Sequence, residues 1–207
     1  MDRRAQAFLA ALARGEVCLG PTDTLPGLTF DPRQDRASAQ LIALKGRPPA
    51  QGFIGLVADF EGALAFWNDV GATWRRALAR LWPAPLSVIF TASPQCPQLL
   101  LAQDGTMALR VPRLATSEEW LRTVMRQLGA PLPSTSVNYH GEPAANQWTA
   151  AVQWARTQGV TIPVSECAAV DAVSSMPSTL LRITGPTTFQ LVRRGAVPQS
   201  TIEASLL

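Results

Sequence analysis

Apolar residues recur along the chain at two different spacings, and each spacing predicts one kind of secondary structure. Spacings of three and four residues are typical of helices with one buried face. They predict helices over 2–14, 35–45, 61–67, 73–82, 117–128 and 147–158. Short apolar runs bounded by glycine, proline or polar clusters are typical of strands. They predict strands over 16–20, 25–30, 53–58, 86–91, 106–111, 132–137, 160–164, 178–183 and 188–192.

Capping and turn residues support several of these boundaries. Asp2 is placed to cap the first helix and Ser117 the fifth, while Gly15 and Gly46 follow the ends of the first two helices. The last ten residues show no comparable signal, so we expect them to form a loose tail.

The order of the elements predicts the fold class. Strands that alternate with helices indicate an α/β domain, and the hairpin expected over 178–192 excludes a purely parallel sheet. The chain contains no repeat, low-complexity block or linker that would divide it. We therefore expect a single domain over residues 1–207, with a mixed sheet and flanking helices.

The composition is typical of a globular chain, and it also bears on the cellular location. Of the 207 residues, 47% are hydrophobic, which supplies a large core. No apolar run approaches the ~20 residues of a membrane span, and the N-terminus lacks the apolar stretch of a signal peptide. Three widely spaced cysteines do not form a disulfide framework and favour a reducing compartment. These observations predict a cytoplasmic protein without membrane association.

The scarcity of two residue types excludes several chemistries. His140 is the single histidine, so a zinc site built from several histidines is excluded, and a Ser-His-Asp triad would have to use a residue in a polar loop. Lys45 is the single lysine among 18 basic residues, so a Schiff-base mechanism has one candidate. The net charge of +3 suits anionic substrates but does not by itself indicate a nucleic-acid binder.

Lys45 is the first candidate functional residue. It ends the predicted second helix and is followed by Gly46, Arg47 and Pro48. A cation there stabilises the negative end of the helix, and arginine would serve equally well. A lysine in a chain that otherwise uses arginine is also consistent with a compact ammonium that binds phosphate or carboxylate. The residues alone leave both interpretations open.

Polar residues at strand ends are further candidates. Pro21-Thr22-Asp23-Thr24 is favoured as a simple turn with an Asx-type bond from Asp23, although its hydroxyls also suit the rim of a ligand site. The run 134–138, Ser-Thr-Ser-Val-Asn, is either a polar edge strand or a strand that faces a ligand.

Arg110 interrupts an apolar strand, and its charge therefore needs contact with solvent or with an ionic partner. The chain has no glycine-rich phosphate-binding motif of the common types.

Seven short motifs, taken in order, resemble the YrdC/Sua5 family. They are Pro21-Thr22-Asp23-Thr24 with Gly27-Leu28, Lys45-Gly46-Arg47-Pro48, Trp82-Pro83 with Pro85-Leu86, Arg110-Val111-Pro112, Ser134-Thr135-Ser136-Val137-Asn138 with Gly141, Ser178-Thr179, and Arg193 with Gly195. The match covers residues 5–198, and it is closest to the short bacterial YrdC-like form.

The resemblance implies a fold and an activity. Family members have an open twisted α/β sheet with a concave, positively charged cleft. They are L-threonylcarbamoyladenylate synthases, nucleotidyltransferases that form threonylcarbamoyl-AMP and pyrophosphate from L-threonine, bicarbonate and ATP with Mg²⁺. A separate transferase complex then modifies adenosine in tRNA, giving t6A. The implied partners are these substrates, the transferase complex and, weakly, tRNA itself.

The resemblance also implies roles for individual residues. Lys45 and Arg47 would be catalytic and would contact the nucleotide phosphates. Ser136 would contact both substrates, and Asn138 and Arg193 would contact the nucleotide. The residues implied to hold threonine, besides Ser136, are Thr24, Arg110 and Ser178. No protein ligand for a metal ion is implied.

One departure from the family pattern keeps alternatives open. Pro26 stands where the family usually has an aromatic residue that would wall the threonine pocket. One alternative is therefore a divergent carbamoyl-adenylate synthase that uses another amino acid. A separate alternative, which does not rest on Pro26, is a non-catalytic RNA-binding module of the same fold; it would bind RNA in a salt-dependent manner without turning over ATP, and the modest net charge of +3 argues against it as the main role.

Overall fold

A computed structural model describes residues 2–46, 52–164 and 176–207, and an eight-stranded sheet forms its centre. The strands are β1 (Cys18–Gly20), β2 (Gly27–Thr29), β3 (Ile54–Leu56), β4 (Leu86–Thr91), β5 (Thr106–Arg110), β6 (Leu132–Ser136), β7 (Thr179–Ile183) and β8 (Phe189–Arg193). Their spatial order is β1-β2-β6-β3-β5-β4-β7-β8. The β3–β5 and β4–β7 pairs are parallel and the other pairs are antiparallel, so the predicted mixed sheet is confirmed.

Seven α-helices flank the sheet in the described residues. They are α1 (Arg3–Ala13), α2 (Asp35–Lys45), α3 (Phe60–Leu64), α4 (Gly71–Leu81), α5 (Trp120–Leu128), α6 (Trp148–Thr157) and α7 (Gln199–Ser205). Short 3-10 helices cover Gln98–Leu100 and Thr116–Glu118. None of the described helices has the length and apolar character needed to cross a membrane.

Local sequence explains where the first two helices begin and end. Asp2 caps α1 as expected, because its Oδ1 accepts a hydrogen bond from the Arg4 backbone N–H at 2.7 Å. Phe8 lies on the buried face of α1, and its ring packs 5.4 Å from that of Trp120 on α5. Helix α2 ends at Gly46, which adopts a left-handed φ of 58° that favours glycine.

Two of the predicted elements differ in the structure. Residues 160–164 form no strand and contribute only a bridge from Thr161 to Cys18. Ser117 does not cap α5, because it lies in the short 3-10 helix that precedes it. The second difference arises at an element end, where helix boundaries vary by one or two residues.

The expectation of a loose tail is wrong. Residues Gln199–Ser205 form α7, which packs against α4 and buries Ile202 completely. A helix of this length shows no recognisable periodicity in sequence, and it is stabilised here by burial of one apolar side chain against a neighbouring helix.

Candidate active site

The register of three adjacent strands brings polar side chains to one face of the sheet. Ile54 on β3 is paired with Ser134 on one side and with Ala108 on the other. Because side chains alternate between the two faces of a strand, Ser136 and Arg110, two residues further along their strands, point to the same face as Ile54. A cleft of about 660 Å³ lies on this face.

This cleft collects every predicted site residue that the structure describes. Those residues are Thr24, Lys45, Arg110, Ser136, Asn138, Ser178 and Arg193. Arg47 lies outside the described residues. The structure therefore brings the predicted set together, while the assignment of each residue to nucleotide or threonine stays a prediction.

Lys45 connects the end of α2 to strand β6. Lys45 as a whole is 4% exposed, and its ammonium donates hydrogen bonds to the Ser136 backbone O, at 2.7 Å, and to Asn138 Oδ1. Asn138 Oδ1 also accepts from Ser136 Oγ at 2.7 Å, and the Asn138 amide donates to the Glu142 backbone O at 2.6 Å. Stabilisation of the helix end does not explain contacts 91 and 93 residues away in sequence. The observed geometry is that of a buried cation placed at a cleft wall.

Arg110 and Asp23 form a buried ion pair beside Thr24. The Arg110 Nε atom lies 3.4 Å from Asp23 Oδ1, and both side chains are at most 5% exposed. Arg110 Nη1 also donates to Thr24 Oγ1 at 3.3 Å. The other Asp23 oxygen accepts from the Arg113 backbone N–H at 2.9 Å. A guanidinium buried in this way requires a counter-ion, and Asp23 provides it.

The expected Asx-type turn from Asp23 is therefore wrong. The side chain that shapes this turn is Thr22, whose Oγ1 accepts from the Thr24 backbone N–H at 3.1 Å and donates to the Leu25 backbone O at 2.7 Å. A threonine hydroxyl forms such turns much as an aspartate does, which leaves the Asp23 carboxylate free to face Arg110.

Arg193 is joined to Ser178 by three hydrogen bonds. Arg193 Nε and Nη2 donate to the Ser178 backbone O at 3.1 and 2.9 Å, and Nη2 also donates to Ser178 Oγ at 3.0 Å. Burial lowers the pKa of the Arg193 guanidinium below its ordinary value, and the positive charge of Arg110 lowers this pKa further. Both guanidiniums line the same cleft.

Gly195 permits this arrangement through a close backbone contact. A Cβ atom at this position would lie 2.4 Å from both the Pro177 O and the Thr179 N atoms. The Ala196 backbone N–H donates to the same Pro177 oxygen at 3.0 Å. The chain after β8 thus lies directly on the segment that carries Ser178.

Sequence reasoning missed three residues of this region. Ser87 on β4 is fully buried and its Oγ lies 2.9 Å from Ser178 Oγ. Its only signal was one polar residue inside an apolar strand. Asp23 was interpreted as a turn residue. His140, to which the sequence assigned no role, lines the cleft and donates its backbone N–H to the Lys45 backbone O at 2.8 Å.

The chemistry of the cleft suits a ligand with several anionic oxygens. Its described lining contains the cations Lys45, Arg110 and Arg193 and no carboxylate. The described part of the chain also contains no group of three or more His, Cys, Asp or Glu side chains that would hold a metal ion. The lining offers hydroxyl, amide and cationic donors, which are the usual partners of phosphate and carboxylate.

A family model described as telomere recombination, for the Sua5, YciO and YrdC proteins, matches residues 10–195. The chain belongs to the Sua5/YciO/YrdC family. Among similar curated members is a threonylcarbamoyl-AMP synthase of Chromohalobacter salexigens, which is 36% identical over 144 residues and covers 70% of this chain and 75% of the relative. A threonylcarbamoyl-AMP synthase of Thiobacillus denitrificans is 34% identical over 155 residues, or 75% of this chain and 79% of the relative.

Solved structures of the Sua5/YciO/YrdC family share the fold. P. abyssi Sua5 complexed with L-threonine matches 97% of this chain with a TM-score of 0.80 and 22% identity. The chain spans only 56% of that longer protein. E. coli YciO matches 96% of this chain and 92% of its own, with a TM-score of 0.77 and 19% identity. At these identities the likeness establishes the α/β fold with an open mixed sheet.

Proposed function

We propose that this protein is an L-threonylcarbamoyladenylate synthase, a nucleotidyltransferase that forms threonylcarbamoyl-AMP and pyrophosphate from L-threonine, bicarbonate and ATP. The observation that carries the proposal is the 34–36% identity to relatives named threonylcarbamoyl-AMP synthase. The cleft supports it, because three cations and several hydroxyl groups converge where three anionic substrates would have to meet.

The reaction needs positioning more than covalent help from the protein. The threonine amine attacks the bicarbonate carbon, forming an N–C bond and releasing water, and gives a carbamate. A carbamate oxygen then attacks the α-phosphorus of ATP, an O–P bond forms, and the bond to pyrophosphate breaks. Each partner carries at least one anionic group, namely a carboxylate, bicarbonate or triphosphate, so fixed cations lower the cost of bringing them together and stabilise the charge that develops. A cleft without a histidine triad is sufficient for this chemistry.

The groups in the cleft suggest which part of the substrates each residue binds. We assign Lys45 and Arg47 to the phosphates, and Ser136 and Asn138 to the adenylate, because the Lys45 ammonium is hydrogen-bonded to both Ser136 and Asn138. We assign Thr24, Arg110 and Ser178, with help from Ser136, to threonine. We assign Arg193 to the nucleotide, and it also donates hydrogen bonds to Ser178, which belongs to the set assigned to threonine. Mg²⁺ would arrive with ATP, held by phosphates and water, since the described lining of the cleft offers no carboxylate.

The wider context follows from the same proposal. The product is a reactive mixed anhydride, so a transferase complex must receive it and pass the threonylcarbamoyl group to tRNA. Direct tRNA binding by this chain would be weak, given a net charge of +3. The cytoplasmic location remains part of the proposal and is supported by the sparse cysteines.

The test is pyrophosphate release by the purified protein. Release is expected only when ATP, Mg²⁺, bicarbonate and L-threonine are all present, and mass spectrometry should detect threonylcarbamoyl-AMP. Release without threonine, or none under any condition, contradicts the proposal. Because Pro26 lines the cleft, the assay should include other amino acids. Preference for one of them would indicate the divergent synthase, and salt-dependent RNA binding without turnover would indicate the RNA-binding module.

A further inference from the structure

Ser87 has a buried hydroxyl group that contacts one other hydroxyl group, that of Ser178. It lies in β4, where Leu86 and Val88 on either side are also fully buried. Its Oγ is 2.9 Å from Ser178 Oγ, and no other hydrogen bond of the Ser87 hydroxyl is found among the described residues. Val88 pairs with Leu109, so alternation of side chains places Ser87 on the cleft face with Arg110.

The protons of this network can be assigned from its donors. Arg193 carries only N–H donors, so Ser178 Oγ must accept the bond from Arg193 Nη2. If Ser178 donated its proton to Ser87, the buried Ser87 proton would have no acceptor among the described residues. Leaving a buried donor unpaired is costly, so the favoured arrangement has Ser87 donating to Ser178. Both lone pairs of Ser178 Oγ are then occupied.

We propose that Ser87 is a positioning residue that fixes Ser178 as a hydrogen-bond donor towards the cleft. Because Ser178 Oγ already accepts hydrogen bonds from Ser87 and Arg193, the one hydrogen bond it can still make to a ligand is as a donor. It therefore selects an acceptor oxygen and rejects a donor group at that point. The inference deepens the proposed function and rests on it for the identity of the ligand.

The neighbouring cationic side chains indicate which kind of ligand oxygen accepts the hydrogen bond from Ser178. Arg193 contacts Ser178 directly, and Arg110 is near enough to affect Arg193 electrostatically. Two guanidiniums and a hydroxyl donor form a set that suits a carboxylate or phosphate oxygen. The carboxylate would come from L-threonine and the phosphate from ATP, so the two substrates must be titrated separately.

A double-mutant cycle on thermal stability tests the hydrogen bond between Ser87 and Ser178 without using activity. Ser87→Ala should lower Tm by about 2–4 °C, because a buried hydrogen bond is lost. In the Ser178→Ala background the Ser87 hydroxyl has no acceptor, so adding Ser87→Ala should leave Tm unchanged or raise it. An equal loss of Tm in both backgrounds overturns the proposal.

A second cycle measures ligand affinity by calorimetry. Ser87→Ala should raise the dissociation constant of one substrate, L-threonine on the present assignment, about three- to tenfold. The same change should have no effect on affinity when Ser178 is already alanine. An effect on ATP instead would assign the oxygen to phosphate and keep the role of Ser87. Equal effects in both backgrounds, or no effect on either ligand, overturn that role.

Thr29→Val is the matched control. Thr29 is a buried residue of the same sheet whose Oγ1 has no hydrogen-bond partner among the described residues, and it does not line the cleft. The variant should keep both affinities and should not lower Tm. If the wild-type protein does not bind threonine, the proposed function loses its substrate, and the ATP titration together with the stability cycle decides the role of Ser87.

Discussion

The Asp23 carboxylate faces the Arg110 guanidinium in the interior of the protein, with 3.4 Å between Oδ1 and Nε. Neither atom has a hydrogen-bond partner among the described residues, so the contact between them is an ion pair only. The pair therefore depends on charge and on the contacts that each group makes elsewhere, Asp23 with the Arg113 backbone and Arg110 with Thr24. It ties the turn before β2 to the end of β5.

Asp23→Asn should reduce both stability and substrate binding. Removing one partner of a buried ion pair leaves an uncompensated charge, which typically costs about 3–5 kcal/mol. Urea denaturation should show this loss, and the KM for threonine should rise because Arg110 loses its support. Arg126→Ala is the control, since it breaks the exposed pair with Asp59, and we expect a change below about 1 kcal/mol. A neutral Asp23→Asn variant would contradict the structural role of the pair.

Lys45→Arg should retain the fold and lose at least tenfold in kcat/KM. The ammonium fits between the Ser136 carbonyl and the Asn138 amide oxygen, and the larger planar guanidinium cannot reproduce both bonds. Circular dichroism checks the fold and pyrophosphate release measures the activity. Arg36→Lys makes the reverse exchange at an exposed position of the same helix and should remain fully active. Full activity of Lys45→Arg would show that the activity does not require a lysine at this position.

Gly195→Ala should destabilise the contact between β8 and the segment that carries Ser178. The new methyl group would lie 2.4 Å from two backbone atoms, so the chain must move. We expect a loss of about 1–3 kcal/mol in urea denaturation, together with weaker substrate binding as Arg193 is displaced. In Gly185→Ala the nearest atom is the Thr188 hydroxyl, which can rotate away, and the loss should be smaller. Equal effects of the two substitutions would argue against the close contact.

Cys18 should make stability fall at alkaline pH. Burial raises the pKa of its thiol to about 12, whereas the thiol of an unfolded cysteine has a pKa of about 8.5. The unfolded state therefore loses a proton that the folded state keeps, and stability falls as pH rises above the unfolded value. Between pH 8 and 10.5 the wild type should lose about 2–3 kcal/mol more than Cys18→Ala. Parallel pH profiles of the two proteins would refute this.

The sequence predicted the elements that carry strong local signals. Helix α2 and its end at Gly46 follow from apolar spacing and from a left-handed glycine, and both are observed. Helix α7 was missed because it is stabilised by burial of Ile202 against α4, which no local pattern reveals.

The same distinction applies to the site. The motif residues could be identified from their order in the chain, but their partners could not. Asp23 and Arg110 are 87 residues apart, and Ser87 and Ser178 are 91 apart, so only the strand order brings each pair together. A buried serine and a turn aspartate have common structural explanations, and only the fold shows that Asp23 contacts Arg110 and Ser87 contacts Ser178, the residues that line the cleft.

Lys45 holds the loop after β6 from two sides, through its backbone carbonyl to His140 and through its ammonium to Asn138. The last turn of α2 and this loop consequently form one mechanical unit. A ligand that displaces Asn138 would break its hydrogen bond to the Lys45 ammonium, so occupancy of the cleft is coupled to the end of the helix and not only to separate side chains.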